Sequence, residues 1–117
     1  MTTAEIAKDF TELLKQGENE GAAEKYNADD IVSYEAMEGP MAICRGKEAV
    51  RQKGQWWQEN NEVHGGSVEG PYVNGDQFAV RFKFDITLKA TGERVSMDEV
   101  GLYTVKNGKI AEERFYY

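Results

Sequence analysis

The acidic residues of the stretch YNADDIVSYEAMEGP, residues 26–40, are the first candidates for chemistry. Four carboxylates fall within these fifteen residues: Asp29, Asp30, Glu35 and Glu38. A carboxylate that a pocket holds beside a substrate can act as a general base, whereas a solvated one has no such role. We expect Asp29 and Asp30 in a turn and Glu38 at the approach to the next turn, so Glu35 is the candidate base.

The alternation of residues 32–37 bears on the direction in which Glu35 points. In an extended strand, one face carries Ser33, Glu35 and Met37, and the other carries Val32, Tyr34 and Ala36. The second set is more apolar and is the better core face, which favours a solvated or cross-strand-paired Glu35. A strand beneath helices can have both faces covered, so a pocket position for Glu35 is the alternative.

Asp98, His64 and Cys44 are the other candidates for chemistry. Asp98 is a second candidate base if its side of the strand faces a pocket. An ion pair with Arg81 or Arg94 is the simpler expectation. His64, the only histidine, can titrate near neutral pH, but no carboxylate at a fixed spacing would orient it. Cys44 precedes a basic residue, yet a lone cysteine is usually a small buried hydrophobe.

Composition excludes several functional classes. The chain has 117 residues, which suits a single domain over residues 1–117, and a formal net charge of −7. That charge argues against nucleic acid and anionic membranes, which bind through Lys and Arg. One Cys and one His build neither a disulfide nor a usual zinc site, and we expect no metal and no cofactor. The N-terminus lacks a signal-peptide pattern and no stretch approaches the about 20 apolar residues of a membrane span, so we expect a cytoplasmic protein.

Helical patterns occupy the first half of the chain. Thr2 and Glu5 form a capping-box pattern ahead of a helix over residues 2–16, whose apolar face includes Ile6 and Phe10. Asn19 can cap a second, shorter helix. A third begins after Gly46 and places three side chains on one stripe: Val50, Lys53 and Trp57.

Strand patterns occupy the second half. Apolar residues alternate along one long strand: Phe78, Val80, Phe82, Phe84, Ile86 and Leu88. Turn signals at Asn74-Gly75, Thr91-Gly92 and Asn107-Gly108 separate successive strands and predict an antiparallel meander. A short strand over residues 31–37 precedes the third helix. The order predicts an α+β domain, with helices on one face of a curved sheet that encloses a cavity.

The order helix–helix–strand–helix–meander resembles the NTF2-like superfamily, and within it the SnoaL-like branch. Three segments carry the resemblance: YNADDIVSYE, RGKEAVRQ and DEVGLYTVKNGKIAEERFYY. The resemblance implies a cone of three N-terminal helices packed on a curved antiparallel sheet, with a hydrophobic pocket. It also implies dimers through the outer face of the sheet.

The resemblance assigns positions to the chemistry of this superfamily. Steroid isomerases need a carboxylate base, a Tyr and a protonated Asp. The base position falls on Glu35, the Tyr position on Phe10, and the Asp position on or near Val100. Because Phe10 and Val100 donate no hydrogen bond from their side chains, steroid isomerisation in its usual form is rejected. SnoaL-like cyclases use one acidic residue as base in an apolar pocket, a role open to Glu35 or Asp98.

Three functional hypotheses follow. The first is a SnoaL-like protein that binds a small, largely apolar molecule, with acid–base chemistry of cyclase or isomerase type on a carbonyl compound. The expected pocket residues are Phe10, Tyr34, Trp57, Phe82, Phe84 and Val100. The second is a non-catalytic ligand-binding protein, and the third is an interaction domain. Exposed aromatic residues of the closing hairpin predict a homodimer through the outer sheet face: Tyr103, Phe115, Tyr116 and Tyr117.

Overall fold

The first and third helices begin where their sequence signals predict, whereas Asn19, expected to cap the second helix, is its first residue and follows the N-cap Glu18. The structure, a computed structural model, describes residues 1–117 and contains three helices: α1 (Thr3–Lys15), α2 (Asn19–Tyr26) and α3 (Lys47–Asn60). The Thr2 side chain accepts a hydrogen bond from the Glu5 amide at 3.2 Å, and the Thr2 amide donates to the Glu5 carboxylate at 2.9 Å, so the capping box is confirmed. None of the three helices has the length and apolar character needed to cross a bilayer. The cytoplasmic location stays a prediction.

Six strands form one sheet in the order β2-β1-β6-β5-β4-β3. Their bounds are β1 (Asn27–Tyr34), β2 (Ile43–Arg45), β3 (Asn61–Asn74), β4 (Gln77–Leu88), β5 (Arg94–Lys106) and β6 (Lys109–Tyr116). Strand β1 pairs with β6 in parallel, and every other neighbouring pair is antiparallel. The α+β fold and the meander of β3 to β6 are as the sequence predicts.

The first strand differs from its predicted position. It begins at Asn27 and ends at Tyr34, so Asp29 and Asp30 lie in β1 and not in a turn, while Glu35 lies just beyond its end. The Glu35 amide donates to the Ala42 carbonyl at 2.8 Å, which continues the pairing towards the short strand β2. Strand β2 has only three residues and no alternation of its own, and it was not predicted.

The alternating apolar residues of β4 face the helices. Phe78, Val80, Phe82 and Ile86 are buried, which confirms this face as the core side of the sheet. Strand β5 lies beside β4, with Val80 opposite Gly101 and Phe82 opposite Glu99. The inner face of β5 therefore carries Glu99, Gly101, Tyr103 and Val105.

A bulge in β6 decides which of its residues face inward. Val105 pairs with Ile110, whereas Thr104 pairs with Glu112, so Ala111 is the extra residue. Ile110 and Glu113 are both buried although they are three positions apart. The bulge places Glu113 and Phe115 on the inner face, opposite Tyr103 and Gly101.

The outer face of the sheet is largely charged. Arg81 binds Asp98 at 2.8 Å, Arg94 binds Asp85 at 2.6 Å, and Arg114 binds Glu112 at 3.1 Å. Of the four aromatic residues expected to be exposed in the closing hairpin, Tyr103 is buried and Phe115 packs against the core. Tyr116 and Tyr117 are exposed as expected, but Tyr117 turns towards Glu35, so Tyr116 is the one of these four that lies on the outer face. The predicted aromatic patch is wrong because the β6 bulge turns Phe115 inward.

Candidate functional site

A lysine from α3 meets the end of β1 inside the cone. The Lys53 ammonium lies 2.6 Å from Glu35 Oε1, and the two side chains are only 13% and 22% exposed. The same ammonium donates to the Ser33 hydroxyl at 2.7 Å and lies 5.0 Å from the centre of the Phe115 ring. Lys53 points inward because it shares a helical stripe with the buried Val50 and the inward-facing Trp57.

Glu35 has a second partner at the end of the chain. The Tyr117 hydroxyl donates to Glu35 Oε2 at 2.9 Å. Partial burial, together with this hydrogen bond to a carboxylate, raises the pKa of Tyr117 to about 12. Both oxygens of Glu35 are therefore engaged, one by an ammonium and one by a phenol, and the carboxylate is held in one orientation.

Glu99 is a second carboxyl on the same side of the sheet. It lies on the inner face of β5, two residues before Gly101 and opposite Phe82. Burial raises the pKa of Glu99 to about 7, the negative charges of Glu35 and Glu113 add to the rise, and Lys53 opposes it. A carboxyl with this pKa is partly protonated at neutral pH and can donate a proton.

Glu113 is the third carboxyl and the most buried, with 9% of the residue exposed. It stands beside Ser33 on the neighbouring parallel strand and opposite Tyr103 on β5. Burial raises the pKa of Glu113, with the Ser33 hydroxyl and the Lys53 charge acting in the opposite direction. Burial also raises the pKa of Tyr103, so this phenol keeps its proton in the folded protein.

Aromatic side chains surround these polar groups. Trp57 lies 6.5 Å from Phe84 between ring centres, and Phe84 lies 6.1 Å from Phe82. Deeper in the cone, Phe10 lies 5.0 Å from Tyr103. These contacts place Phe10, Trp57, Phe82 and Phe84 on the inner side, where a largely apolar ligand would require them.

Four other predicted site residues do not face this cluster. Asp98 is on the outer face, where its side chain is 55% exposed and is paired with Arg81. Val100 is also on the outer face, because Glu99 and Gly101 on either side of it point inward. Their expected pocket positions are wrong, because the inner face of β5 carries the neighbouring residues Glu99 and Gly101. The simpler expectation for Asp98, an ion pair with Arg81, is confirmed.

Tyr34 and His64 are likewise directed elsewhere. Tyr34 faces outward, with the Arg114 guanidinium 3.9 Å above its ring. His64 is exposed on β3 and bonds the Thr87 hydroxyl at 2.6 Å. His64 shares no partner with Glu35, Glu99 or Glu113. Cys44 is buried and donates to the Met41 carbonyl, as a small core residue does.

The alternation of residues 32–37 favoured a Glu35 on the face away from the core, and this expectation is wrong. Ser33 is fully buried and Glu35 is turned inward, whereas the more apolar Val32 and Tyr34 lie on the other side. Lys53 is the reason, because its ammonium satisfies the polar groups of Ser33 and Glu35 where helix α3 covers them. The position that the family resemblance assigns to a base therefore faces the cone, and the base role of Glu35 stays a prediction.

Glu99, Glu113 and Ser33 were not predicted as site residues, and Lys53 was predicted only as part of a helical stripe. For Glu99 a signal was present, because it alternates with Gly101 and Tyr103 on one face of β5. For Glu113 no such signal was present, since the bulge at Ala111 shifts the alternation of β6.

Two surface hollows lie away from this cluster. One is lined on the outer face by Asp30, Val32, Thr104, Lys106, Ala111 and Glu112. The other is lined by Gly65, Gly66, Lys83, Phe84, Asp85, Ser96, Met97 and Asp98. Neither hollow is lined by Glu35, Lys53, Glu99 or Glu113. We therefore choose the interior cluster as the candidate site because of its ionisable groups, and not because a large hollow lies there. The closed cavity expected from the sequence stays a prediction.

Solved structures share this fold. A Mesorhizobium loti protein is 87% identical, with a TM-score of 0.98 over 100% of both chains. It is described as a candidate SnoaL-like polyketide cyclase and also as a carbohydrate phosphatase. An NTF2-like protein from Burkholderia xenovorans LB400 is 26% identical, with a TM-score of 0.75 over 99% of this chain and 90% of that one. A Catenulispora acidiphila protein with a ketosteroid isomerase-like fold, solved with trimethylamine, is 19% identical, with a TM-score of 0.71 over 90% of this chain and 79% of that one.

Sequence comparison points to the same family. No curated protein shows significant sequence similarity to the chain. The SnoaL-like domain family, in contrast, matches residues 1–117. The helices, the curved sheet and the order of the elements agree with that match. The chain belongs to the SnoaL-like domain family.

Proposed function

We propose that the interior cluster binds a small, largely apolar carbonyl compound and transfers a proton at the carbon next to its carbonyl group. Glu35 acts as the base and Glu99 as the acid. The observation that carries the proposal is the pairing of two unlike carboxyls on one inner surface. Glu35 is ion-paired with Lys53 at 2.6 Å, whereas burial raises the pKa of Glu99 to about 7.

The two carboxyls divide the chemistry between them. The Glu35 carboxylate takes the proton from the carbon, and the electron pair of that C–H bond moves into the carbonyl group. The protonated Glu99 donates to the carbonyl oxygen as negative charge develops there. In an isomerisation Glu35 returns the proton to another carbon. In a cyclisation the same carbon forms a bond to a second carbonyl carbon, the π electrons of that carbonyl move to its oxygen, and the oxygen takes the proton from Glu35.

This assignment changes the comparison with steroid isomerases. Phe10 still supplies no hydroxyl, so the pattern of that enzyme class remains incomplete. Glu99, adjacent to Val100, supplies the acidic donor that steroid isomerases take from their protonated Asp. We therefore propose a proton-transfer reaction of the cyclase or isomerase type on an apolar carbonyl compound. Steroid isomerisation in its usual form stays rejected.

Hydrogen exchange at carbon tests the proposal without knowledge of the natural substrate. The bicyclic ketone 2-tetralone is incubated with the protein in D₂O, and loss of its α-proton signals is followed by NMR. We expect the wild type to accelerate exchange and Glu35→Gln to lose about 10²-fold or more of that acceleration. Asp98→Asn, which removes a carboxylate from the outer face, is the matched control and should exchange like the wild type. Equal rates for Glu35→Gln and Asp98→Asn would exclude Glu35 as the base.

A second candidate function is non-catalytic binding of a small amine. Three carboxyls and one lysine line the cluster, and the Phe115 ring already carries an ammonium at 5.0 Å. The structural relative from Catenulispora acidiphila was solved with trimethylamine. Calorimetric titration with trimethylammonium chloride, with tert-butanol as the uncharged analogue of similar shape, tests this function. Binding of the cation alone would favour it, and equal heats for the two compounds would contradict it.

We also propose that two copies of the chain associate through the outer sheet face. An apolar strip crosses the centre of this face between the ion pairs, with Val100 opposite Tyr116 and Leu102 on the same side. Tyr116 is 53% exposed in the single chain. Light scattering during gel filtration should give twice the chain mass for the wild type and the chain mass for Leu102→Glu. A wild-type monomer at micromolar concentration would contradict the dimer.

A further inference from the structure

Lys53 is the one basic side chain among the charged groups of the interior cluster. We propose that Lys53 is the positioning residue of this site, which holds Glu35 in an ion pair and, through its charge, lets Glu99 release its proton near neutral pH. The inference rests on the proposed function, and it adds a residue through which the base and the acid acquire different roles.

The contacts of Lys53 fix its ammonium at one point. It lies 2.6 Å from Glu35 and 2.7 Å from the Ser33 hydroxyl, and the Phe115 ring is 5.0 Å below it. These partners belong to β1, to the segment just after β1 and to β6, so the side chain joins helix α3 to two strands. With 13% of the side chain exposed, little solvent is present to replace these contacts.

Three further titratable groups face this point from the sheet. Glu99 comes from β5 and Glu113 from β6, and Tyr103 lies on the inner face of β5 opposite Glu113. Tyr117 approaches from the end of β6 through its bond to Glu35. Each of these groups is neutral or negative, and Glu35 is the only carboxylate within ion-pair distance of Lys53.

Of the three carboxyls, only Glu35 is in direct contact with the Lys53 ammonium. Direct contact with an ammonium favours the charged form of a carboxyl strongly, whereas a more distant positive charge favours it less. Burial raises the pKa of both Glu99 and Glu113, and in each case the Lys53 charge limits the rise. Lys53 therefore holds Glu35 as its ion-pair partner and limits the pKa of Glu99, whose rise comes first from burial.

Titration of the ligand-free protein tests this role. The side-chain carboxyl carbons of ¹³C-labelled glutamates are followed by NMR from pH 4 to 9, with Glu99→Gln to assign the Glu99 signal. In the wild type and in Lys53→Arg, which keeps the charge, we expect Glu99 to titrate near pH 7. In Lys53→Met and Lys53→Gln we expect the Glu99 midpoint to rise by about one pH unit or more.

Two controls separate the charge of Lys53 from its packing. Lys83→Met removes a positive charge from the outer face and should leave the Glu99 midpoint unchanged. Lys53→Gln keeps a polar side chain that can still bond Ser33, so it also serves if Lys53→Met is too unstable to titrate. A wild-type Glu99 midpoint in Lys53→Gln would overturn the proposal.

The same variants distinguish this inference from the proposed function. If the Glu99 midpoint rises in Lys53→Gln but the wild type does not exchange the α-protons of 2-tetralone, the positioning role stands and the carbonyl chemistry fails. If the wild type exchanges those protons and Lys53→Gln titrates like the wild type, the chemistry stands and the positioning role fails.

Discussion

The Tyr103 ring lies over the Cα atom of Gly101, its neighbour on the inner face of β5. A Cβ atom at position 101 would stand 3.0 Å from both Cε2 and the hydroxyl oxygen of Tyr103. The ring has no freedom to move away, because it stacks on Phe78 at 5.0 Å and meets Phe10 at 5.0 Å. Gly101 thus provides the space that the Tyr103 ring occupies on the inner face.

Gly101→Ala should therefore destabilise the fold. The added methyl group overpacks the inner face, and we expect the free energy of unfolding in urea to fall by about 1–3 kcal/mol. Gly54→Ala is the matched control, because Gly54 is exposed in the middle of α3 and has no atom within 4 Å of an added Cβ. That substitution should raise the free energy of unfolding by about 0.5–1 kcal/mol. A stabilising effect of Gly101→Ala would show that Tyr103 does not occupy this space.

Glu99 should make the protein less stable as the pH rises. Its pKa is about 7 in the folded protein against an ordinary value of 4.5, so between these values the folded chain holds a proton that the unfolded chain has released. The free energy of unfolding therefore falls as the pH rises from 4.5 to 7, by about 2 kcal/mol after allowance for partial exposure. Urea denaturation at pH 5.5 and pH 8 measures this difference.

Glu99→Gln should remove its part of that pH dependence and should be more stable than the wild type at pH 8. Glu113, whose pKa is also raised, contributes in the same direction and remains in the variant. The lowered pKa values of outer carboxylates such as Asp85 and Asp98 act below pH 4 and lie outside this window. Equal slopes for wild type and Glu99→Gln would show that Glu99 titrates normally.

Asp98→Asn should have little effect, although Asp98 precedes Glu99 directly. Its carboxylate binds the Arg81 guanidinium at 3.0 and 2.8 Å on the exposed side of the sheet. Exposed ion pairs of this kind contribute little to stability, so the free energy of unfolding should fall only slightly. A larger loss, or a changed rate of 2-tetralone exchange, would contradict the outward orientation of Asp98.

Tyr117 reports on the charge of Glu35. Its pKa is raised to about 12 by burial and by its bond to the Glu35 carboxylate. Glu35→Gln removes the negative charge, so the Tyr117 pKa should move towards the ordinary value of about 10 while the contribution of burial remains. NMR of ring-labelled tyrosine, assigned with Tyr117→Phe, follows this titration. An unchanged Tyr117 titration in Glu35→Gln would place the phenol away from Glu35.

The sequence by itself determined the three helices, the closing meander and the family. The capping box at Thr2, the alternation of β4 and the Asn107-Gly108 turn are local signals, and the structure contains each of them. Asn107 and Gly108 both adopt positive φ, at 53° and 77°, as a two-residue hairpin turn requires. Local signals suffice for such features because backbone geometry and hydrophobic periodicity act over only a few residues.

The tertiary structure decided which side chains meet. Residues of a strand alternate between two faces, and the alternation alone does not tell which face is covered. Only the packing of α3 shows that Ser33 and Glu35 lie on the covered face. The bulge at Ala111 turns Glu113 inward, and the register of β4 with β5 places Glu99 rather than Asp98 inside. These outcomes depend on pairing between distant segments and on one lysine that makes polar groups stable beneath a helix. The alternation of any single segment does not contain that information.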